Sequence, residues 1–290
     1  MASILLVGVV LSLGAADRLV AGPVEEVGGD YMFTEGPLWI PGEGLVFSDI
    51  PADTIYRGDG SVFRKPSGNS NGLALDCEGR LIACEHGNRR VTRTEKDGSI
   101  NVLADEYMGR RLNSPNDLVV RSDGMIFFTD PPYGIKAREA ELPFCGVYAI
   151  VPPDNELKLL SVYFRRPNGV ALSPDEKTLY VADSGDGFIQ AFDVAEDGML
   201  SNSRLFARAR PDGMKVDVKG RLWTSDGKGV SVFSPEGEKL EFIEFSHAPS
   251  NCAFGGDDNK TLFVTARPSV FKVRVETAGL RPCASGEEAP

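Results

Sequence analysis

Histidine is nearly missing from this chain, with two in 290 residues, His86 and His247. No Gly-x-Ser-x-Gly phrase accompanies them, so a serine nucleophile with an imidazole base has no support, and both histidines read as loop residues without a catalytic task. Positive charge is scarce as well. Thirty-one Lys and Arg stand against 42 Asp and Glu, the net charge is −11, and no basic run occurs. A phosphate backbone or an anionic membrane needs clustered cations, so neither nucleic acid nor membrane is expected as a partner. Most of the carboxylates read as solvated surface, though their excess suits a cation site. Five cysteines (Cys77, Cys84, Cys145, Cys252 and Cys283) contain no C-x-x-C pair. That removes a zinc knuckle or thioredoxin-like motif, and they read as small apolar residues in strands. Long amphipathic helices and low-complexity linkers are absent too, so one domain is expected. One apolar run, within residues 3–16, ends in Gly-Ala-Ala. It is too short to span a bilayer and resembles the core and cleavage site of an export signal, although no Lys or Arg precedes it. Residues 1–16 are therefore read as a signal peptide or an extra N-terminal segment, with export favoured over a cytoplasmic location.

What is present is a phrase written six times: a carboxylate or carboxamide, an apolar stretch, a polar turn and a second apolar stretch. The key residues are Glu35, Asn71, Asn116, Asn168, Asp212 and Asn251. Each precedes the Leu or Ile of its second run by ten or eleven positions, and four residues further on stands an acid (Asp49, Glu85, Asp130, Asp183, Asp226) or, in the sixth copy, Ala266. By subtraction, successive key residues lie 36, 45, 52, 44 and 39 apart. That length suits a repeat of one small sheet apiece. Within a repeat the two runs are joined by Glu-Gly, Ser-Asp-Gly or Pro-Asp-Glu-Lys, which is hairpin chemistry, and third and fourth strands follow. Even spacing punctuated by 32 Gly and 19 Pro predicts an all-β chain.

Six four-stranded units predict a six-bladed β-propeller over residues 17–280, with 281–290 as a tail. A β-helix or open solenoid uses shorter repeats and fits less well. The last unit is one strand short after residues 270–275, and the segment Arg18 to Val27 is the expected donor, closing the ring with the N-terminus.

The innermost strand of each propeller blade lines the central channel, so the six key residues are expected to converge near one mouth. Two nearby carboxylates raise each other's pKa, and a cation between them removes that cost. Carboxylate and amide oxygens are hard ligands that suit Ca²⁺, Mg²⁺ or Mn²⁺. Asn-Gly and Asp-Gly are also ordinary turn pairs, and that plainer reading is preferred for Asn71 and Asn251.

Several phrases resemble the gluconolactonase-like family, the group that includes regucalcin. They are Phe-Thr-Glu-Gly-Pro at 33–37, Arg-Leu-Asn-Ser-Pro-Asn-Asp at 111–117, Phe-Thr-Asp-Pro-Pro-Tyr-Gly at 128–134, Pro-Asn-Gly-Val-Ala at 167–171 and Pro-Asp-Gly-Met at 211–214. The resemblance covers roughly residues 18–275. It implies a six-bladed propeller with one divalent metal, Ca²⁺ first, with Mn²⁺, Mg²⁺ or Zn²⁺ as alternatives. It implies Glu35, Asn168 and Asp212 as ligands, Asn116 beside the metal and within reach of it or of the substrate, and a sugar-lactone hydrolase. Ser114 stands where regucalcin has an Arg, and the version with Asn113 and Pro-Pro-Tyr-Gly looks more like bacterial gluconolactonases. Asn113, Asp130 and Tyr133 are accordingly expected to contact sugar hydroxyls.

The mechanism so implied is metal-assisted opening of a cyclic ester, with Asp212 handling the proton of the attacking water. Two rivals stand beside it: a propeller phosphotriesterase with a similar ring, and a metal-free binding scaffold, since fold does not fix function. A carbon–carbon bond-forming enzyme like strictosidine synthase ranks last, because it relies on a channel Glu without this ring.

Overall fold

The computed structural model describes residues 18–281 and 283, so the proposed export segment lies outside the described residues. Six antiparallel four-stranded sheets account for nearly all of the regular structure. The four strands of each of the first five follow one another in the chain. The first sheet holds Thr34–Ile40, Gly44–Asp49, Thr54–Arg57 and Val62–Arg64, and the second Ser70–Leu75, Leu81–Glu85, Arg90–Thr94 and Ile100–Ala104. Its successors begin at Leu118–Val120, Pro167–Leu172 and Met214–Val216. The sixth sheet, Asn251–Gly255, Thr261–Ala266 and Ser269–Arg274, takes its outer strand from Glu25–Gly28. No helix among the described residues is long and apolar enough to cross a membrane.

Each sheet is buried on both faces because it packs between two others. Six apolar clusters fill the six gaps. Val46 and Ile55 meet Leu73 and Ala83 between the first and second blades, and Ile82 and Cys84 meet Phe128 and Tyr148 between the second and third. The series continues around the ring until Phe47 meets Phe263 between the sixth and the first. A closed ring leaves no blade with an uncovered apolar face, which is why the strands read as apolar runs broken only by turns. The six-bladed expectation is therefore borne out, including closure by the N-terminus.

The donated strand is shorter than the expected 18–27. Regular pairing runs from Glu25 to Gly28 with a bulge after Glu26, while upstream only a single bridge, Val20 with Val275, joins the two segments. Gly22-Pro23 lies between them, and proline has no N–H to offer a ladder.

The reading of all five cysteines as plain strand residues is corrected. Cys84 and Cys252 are buried in strands as expected, but Cys77, in the turn after the second blade's inner strand, forms a disulfide with Cys283, their Cα atoms 5.1 Å apart. The segment leading to Cys283 runs along the same set of turns: Leu280 N–H donates to Val216 O (3.1 Å) and Asn259 Nδ2 to Gly279 O (2.7 Å). Those turns lie at the far ends of the inner strands, opposite the key residues. The bond ties residues 206 positions apart, and cross-linking so long a loop removes much chain entropy from the unfolded state. Cys283→Ser is expected to cost about 2–4 kcal/mol of stability. Calorimetric scans with and without reductant check this: the wild type should drop to the Tm of the variant, and a reductant-insensitive Tm would contradict it.

Candidate active site

The site begins as a backbone seam. Gly72 N–H donates to Asn116 O (2.8 Å) and Gly169 N–H to Asp212 O (2.7 Å), linking the entry of one inner strand to the key residue of the next blade. A Cβ at Gly72 or Gly169 would sit 2.6 Å from the same carbonyl oxygens, so the close approach needs glycine. Hydroxyls on the second strands add to the seam: Ser48 Oγ donates to Asn71 O (2.9 Å), Thr129 Oγ1 to Asn168 O (2.7 Å) and Ser225 Oγ to Ser250 O (2.6 Å). The Asn-Gly and Asp-Gly pairs are thus not turns. They fix where the key side chains point.

Those side chains meet at one cavity of about 700 Å³, lined by Glu35, Asn71, Asn116, Asn168 and Asp212 together with Tyr133. The size suits a small organic ligand. A chain of carboxamides crosses it: Asn71 Nδ2 donates to Asn116 Oδ1 (2.7 Å), Asn116 Nδ2 to Asn168 Oδ1 (2.6 Å) and Asn168 Nδ2 to Ser184 Oγ (3.0 Å). Asn251 lies beside the cavity lining and donates to Glu35 Oε2 (3.1 Å). Asn71 and Asn251, read from sequence as structural residues, each donate to another member of the polar ring, and Asn251 Oδ1 also accepts the Cys252 N–H (2.8 Å).

Glu35 is 2 % exposed, and Asp212 reaches Arg267 at 3.5 Å. Burial, and then the charge of Asp212, push the Glu35 carboxyl well above the usual carboxylate range, against the pull of the Gly36 N–H and Asn251. Burial likewise lifts Asp212 to about 6, although Arg267 and Asn168 oppose the rise. Two acids held this way lack a positive partner equal to their combined charge. The available donors are carboxylate and carboxamide oxygens, and no group of three His, Cys, Asp or Glu suited to an ion occurs among the described residues. The oxygen set fits a hard divalent ion, and the one imidazole on the wall, His86, has its Nε2 engaged with Asn116 Oδ1 (3.2 Å).

Asn113 and Asp130 stand apart from the cavity lining, where sugar contacts were expected. Asp130 is fully buried and accepts the Asn113 N–H (2.7 Å), while Asn113 Nδ2 donates to Asp130 O (3.1 Å) and Phe144 O (2.9 Å). The acid that recurs after each second strand has this clasping task elsewhere too. Asp49 takes the N–H groups of Met32 and Phe33, and Asp183 those of Arg165 and Arg166. Each clasp holds the segment that leads into an inner strand. Tyr133 does line the cavity, and its loop is pinned by Ser114, whose Oγ donates to Pro131 O (2.6 Å) and accepts from Gly134 N–H (2.8 Å).

Burial raises Asp130 to about 7. Its folded pKa therefore exceeds the unfolded value, so the stability it contributes is full below about pH 4 and is lost as pH rises through about 7. Asp130→Asn should flatten the decline in Tm between pH 5 and pH 8, which thermal melts across that range would reveal. An unchanged slope would contradict it.

Several residues of the cavity wall were given no site role from the sequence, Ile50 and Asn69 among them. His86, taken for an idle loop residue, is 5 % exposed, and its Nε2 lies 3.2 Å from Asn116 Oδ1. Burial lowers its pKa to about 4, so it is neutral at physiological pH and orients a carboxamide without adding charge. Ser184, Arg210 and Arg267 line the same wall. A signal for several of them was present in the repeat: the position directly after the recurring acid, or after Ala266, supplies Ile50, His86, Ser184 and Arg267.

Comparison with known proteins bears on this geometry. A profile of the SMP-30/Gluconolactonase/LRE-like region matches residues 33–267. The gluconolactonase of Zymomonas mobilis is 34 % identical over 90 % of this chain and 83 % of its own length. A solved structure described as a gluconolactonase from Xanthomonas campestris superposes with a TM-score of 0.83 at 38 % identity, covering 90 % of this chain and 92 % of its own. Regucalcin of Agrobacterium tumefaciens, described as a calcium-binding protein, shares the fold with a TM-score of 0.76 at 19 % identity over 92 % and 98 % of the two chains. Match length and identity together establish that the chain belongs to the SMP-30/gluconolactonase/LRE-like family.

Proposed function

We propose that the protein is a metal-dependent lactonase that hydrolyses a sugar lactone in the channel cavity. The observation that carries this reading is the convergence of Glu35, Asn168 and Asp212 on one cavity, in a chain similar over most of its length to gluconolactonases. Glu35, Asn168 and Asp212 would hold the ion, with Asn116 beside it. Ca²⁺ is the first candidate, in keeping with the all-oxygen donor set. When bound, a divalent ion supplies Lewis acidity that polarises the lactone carbonyl and relieves the repulsion between Glu35 and Asp212.

The remaining work belongs to the protein. Asp212 accepts a proton from the water that attacks the carbonyl carbon, and Arg267 steadies its carboxylate from the solvent side. The ring C–O bond breaks, the proton passes to the departing hydroxyl, and an open-chain aldonic acid leaves. His86 and Asn71 fix Asn116, which in turn holds the Asn168 carboxamide. Tyr133 presents its hydroxyl at the mouth beside Asn168 (3.5 Å), where a sugar hydroxyl can meet it.

The test is hydrolysis of D-glucono-1,5-lactone by chelator-stripped protein, before and after adding Ca²⁺, Mg²⁺, Mn²⁺ or Zn²⁺, corrected for spontaneous opening. Activity restored by a metal is the expected result. A folded protein that stays inactive with every metal on a panel of aldonolactones would overturn the reading and turn attention to a phosphotriester or to a binding role.

A further inference from the structure

The channel mouth carries positive charge that the chemistry above does not use. Two arginines, Arg210 and Arg267, line the cavity in a chain whose net charge is −11. Arg267 is accounted for: it pairs with Asp212 and lies over the Phe33 ring, 4.2 Å from its centroid. Arg210 has no acidic partner within 4 Å among the described residues, and its side chain donates no hydrogen bond there. It is nonetheless placed. Its stem lies across Gly187, where an added Cβ would come within 2.9 Å of Arg210 Nε and 3.1 Å of its Cγ. That turn also carries Ser184, the partner of Asn168. A third guanidinium, that of Arg166, sits 5.6 Å from the centre of the Tyr133 ring and is likewise without an acidic partner among the described residues. Cations therefore stand on the rim from Tyr133 past the partly exposed Asp212 to Phe33, while Glu35 lies deep in the cavity.

This arrangement suits a ligand neutral at one end and anionic at the other. We infer that the preferred substrate is a sugar lactone bearing a tetrahedral oxyanion, phosphate or sulfonate, on the carbon farthest from the ring carbonyl, docked on Arg210 in the field of Arg166 and Arg267. The inference rests on the lactonase reading and extends it. A planar guanidinium binds such groups through two parallel hydrogen bonds, and an uncompensated one has no internal pair to break first. With the carbonyl held among Glu35, Asn168 and Asp212, only a substituent at the far end of the sugar extends to the exposed rim.

The experiment compares kcat/KM of the metal-loaded protein for D-glucono-1,5-lactone, its 6-phosphate and its 6-deoxy-6-sulfonate at low and high salt. One or both charged lactones should exceed the neutral one by about tenfold or more, with the advantage shrinking at high salt. Whichever is preferred identifies the oxyanion. In Arg210→Gln the charged-to-neutral ratio should fall about tenfold or more. As a measurement independent of the variant's folding, 6-phosphogluconate should compete with neutral-lactone hydrolysis by the wild type at lower concentration than gluconate does. Equal kcat/KM for all three lactones, or a ratio untouched in folded Arg210→Gln, would overturn the inference while leaving the lactonase reading intact. No hydrolysis of any of them would sink both.

Discussion

Replacing Asp212 with Asn is expected to lower kcat/KM for lactone hydrolysis by about a thousandfold or more, since in the proposed mechanism one change removes both a metal ligand and the group that accepts the proton of water. The substitution is close to isosteric, and a carboxamide oxygen can still face Arg267 across 3.5 Å, so the fold should survive. Tm and circular dichroism would confirm that. Metal affinity measured by calorimetry then separates the two roles. If the Asp212→Asn variant still binds the ion and turnover is lost, proton transfer is the dominant contribution. If affinity collapses in parallel with turnover, ligation is. A folded, metal-loaded variant with wild-type turnover would remove Asp212 from the mechanism. Asp212 is lifted to about 6 in the protein without metal. A bound cation favours its charged form, so the acid limb of wild-type activity should lie below pH 6.

The second large effect concerns Glu35. In the metal-free protein its carboxyl is held protonated well above the ordinary range by burial and by Asp212. A folded pKa above the unfolded one means that stability declines as pH rises from about 4 through the raised value, because the folded state must then bury a charge. A divalent ion reverses that cost. At pH 8, with the ion at a hundred times its Kd, binding adds about 2.7 kcal/mol to stability, which for a chain of this size is a Tm rise of several degrees. At pH 5 the ion must displace protons from Glu35 and Asp212, and the rise should be much smaller. Glu35→Gln should abolish the metal-induced rise at pH 8 and leave the metal-free Tm equal to or above that of the wild type. Differential scanning fluorimetry with and without Ca²⁺ or Mn²⁺ at the two pH values decides it. A metal-induced rise of the same size in Glu35→Gln would place the ion elsewhere.

The contrast between Asp130 and Asp212 shows how far the sequence could be read. Both belong to the six-fold phrase, both are acids, and both are raised by burial. Only their place in the repeat separates them: the first position opens an inner strand at the channel, the second ends a second strand and clasps the incoming loop. Sequence spacing distinguishes the two positions but not their surroundings. The sugar contact expected of Asp130 therefore becomes a hydrogen bond to Asn113, and the silent residue after the clasp becomes a cavity wall through His86, Ser184 and Arg267.

Fold class, blade number, the closing of the ring from the N-terminus and the convergence of the five key residues that line the cavity were determined by the sequence alone. They depend on periodicity, and a period repeated six times leaves few architectures that bury every blade on both faces. The tertiary structure alone decided the rest. The disulfide joins residues 206 apart, His86 loses its charge because the folded chain buries it, and the Arg210 side chain lies across Gly187 in a turn of the preceding blade. Each of those depends on atoms brought together from distant parts of the chain, and no local pattern of residue types records which distant surface a side chain will meet.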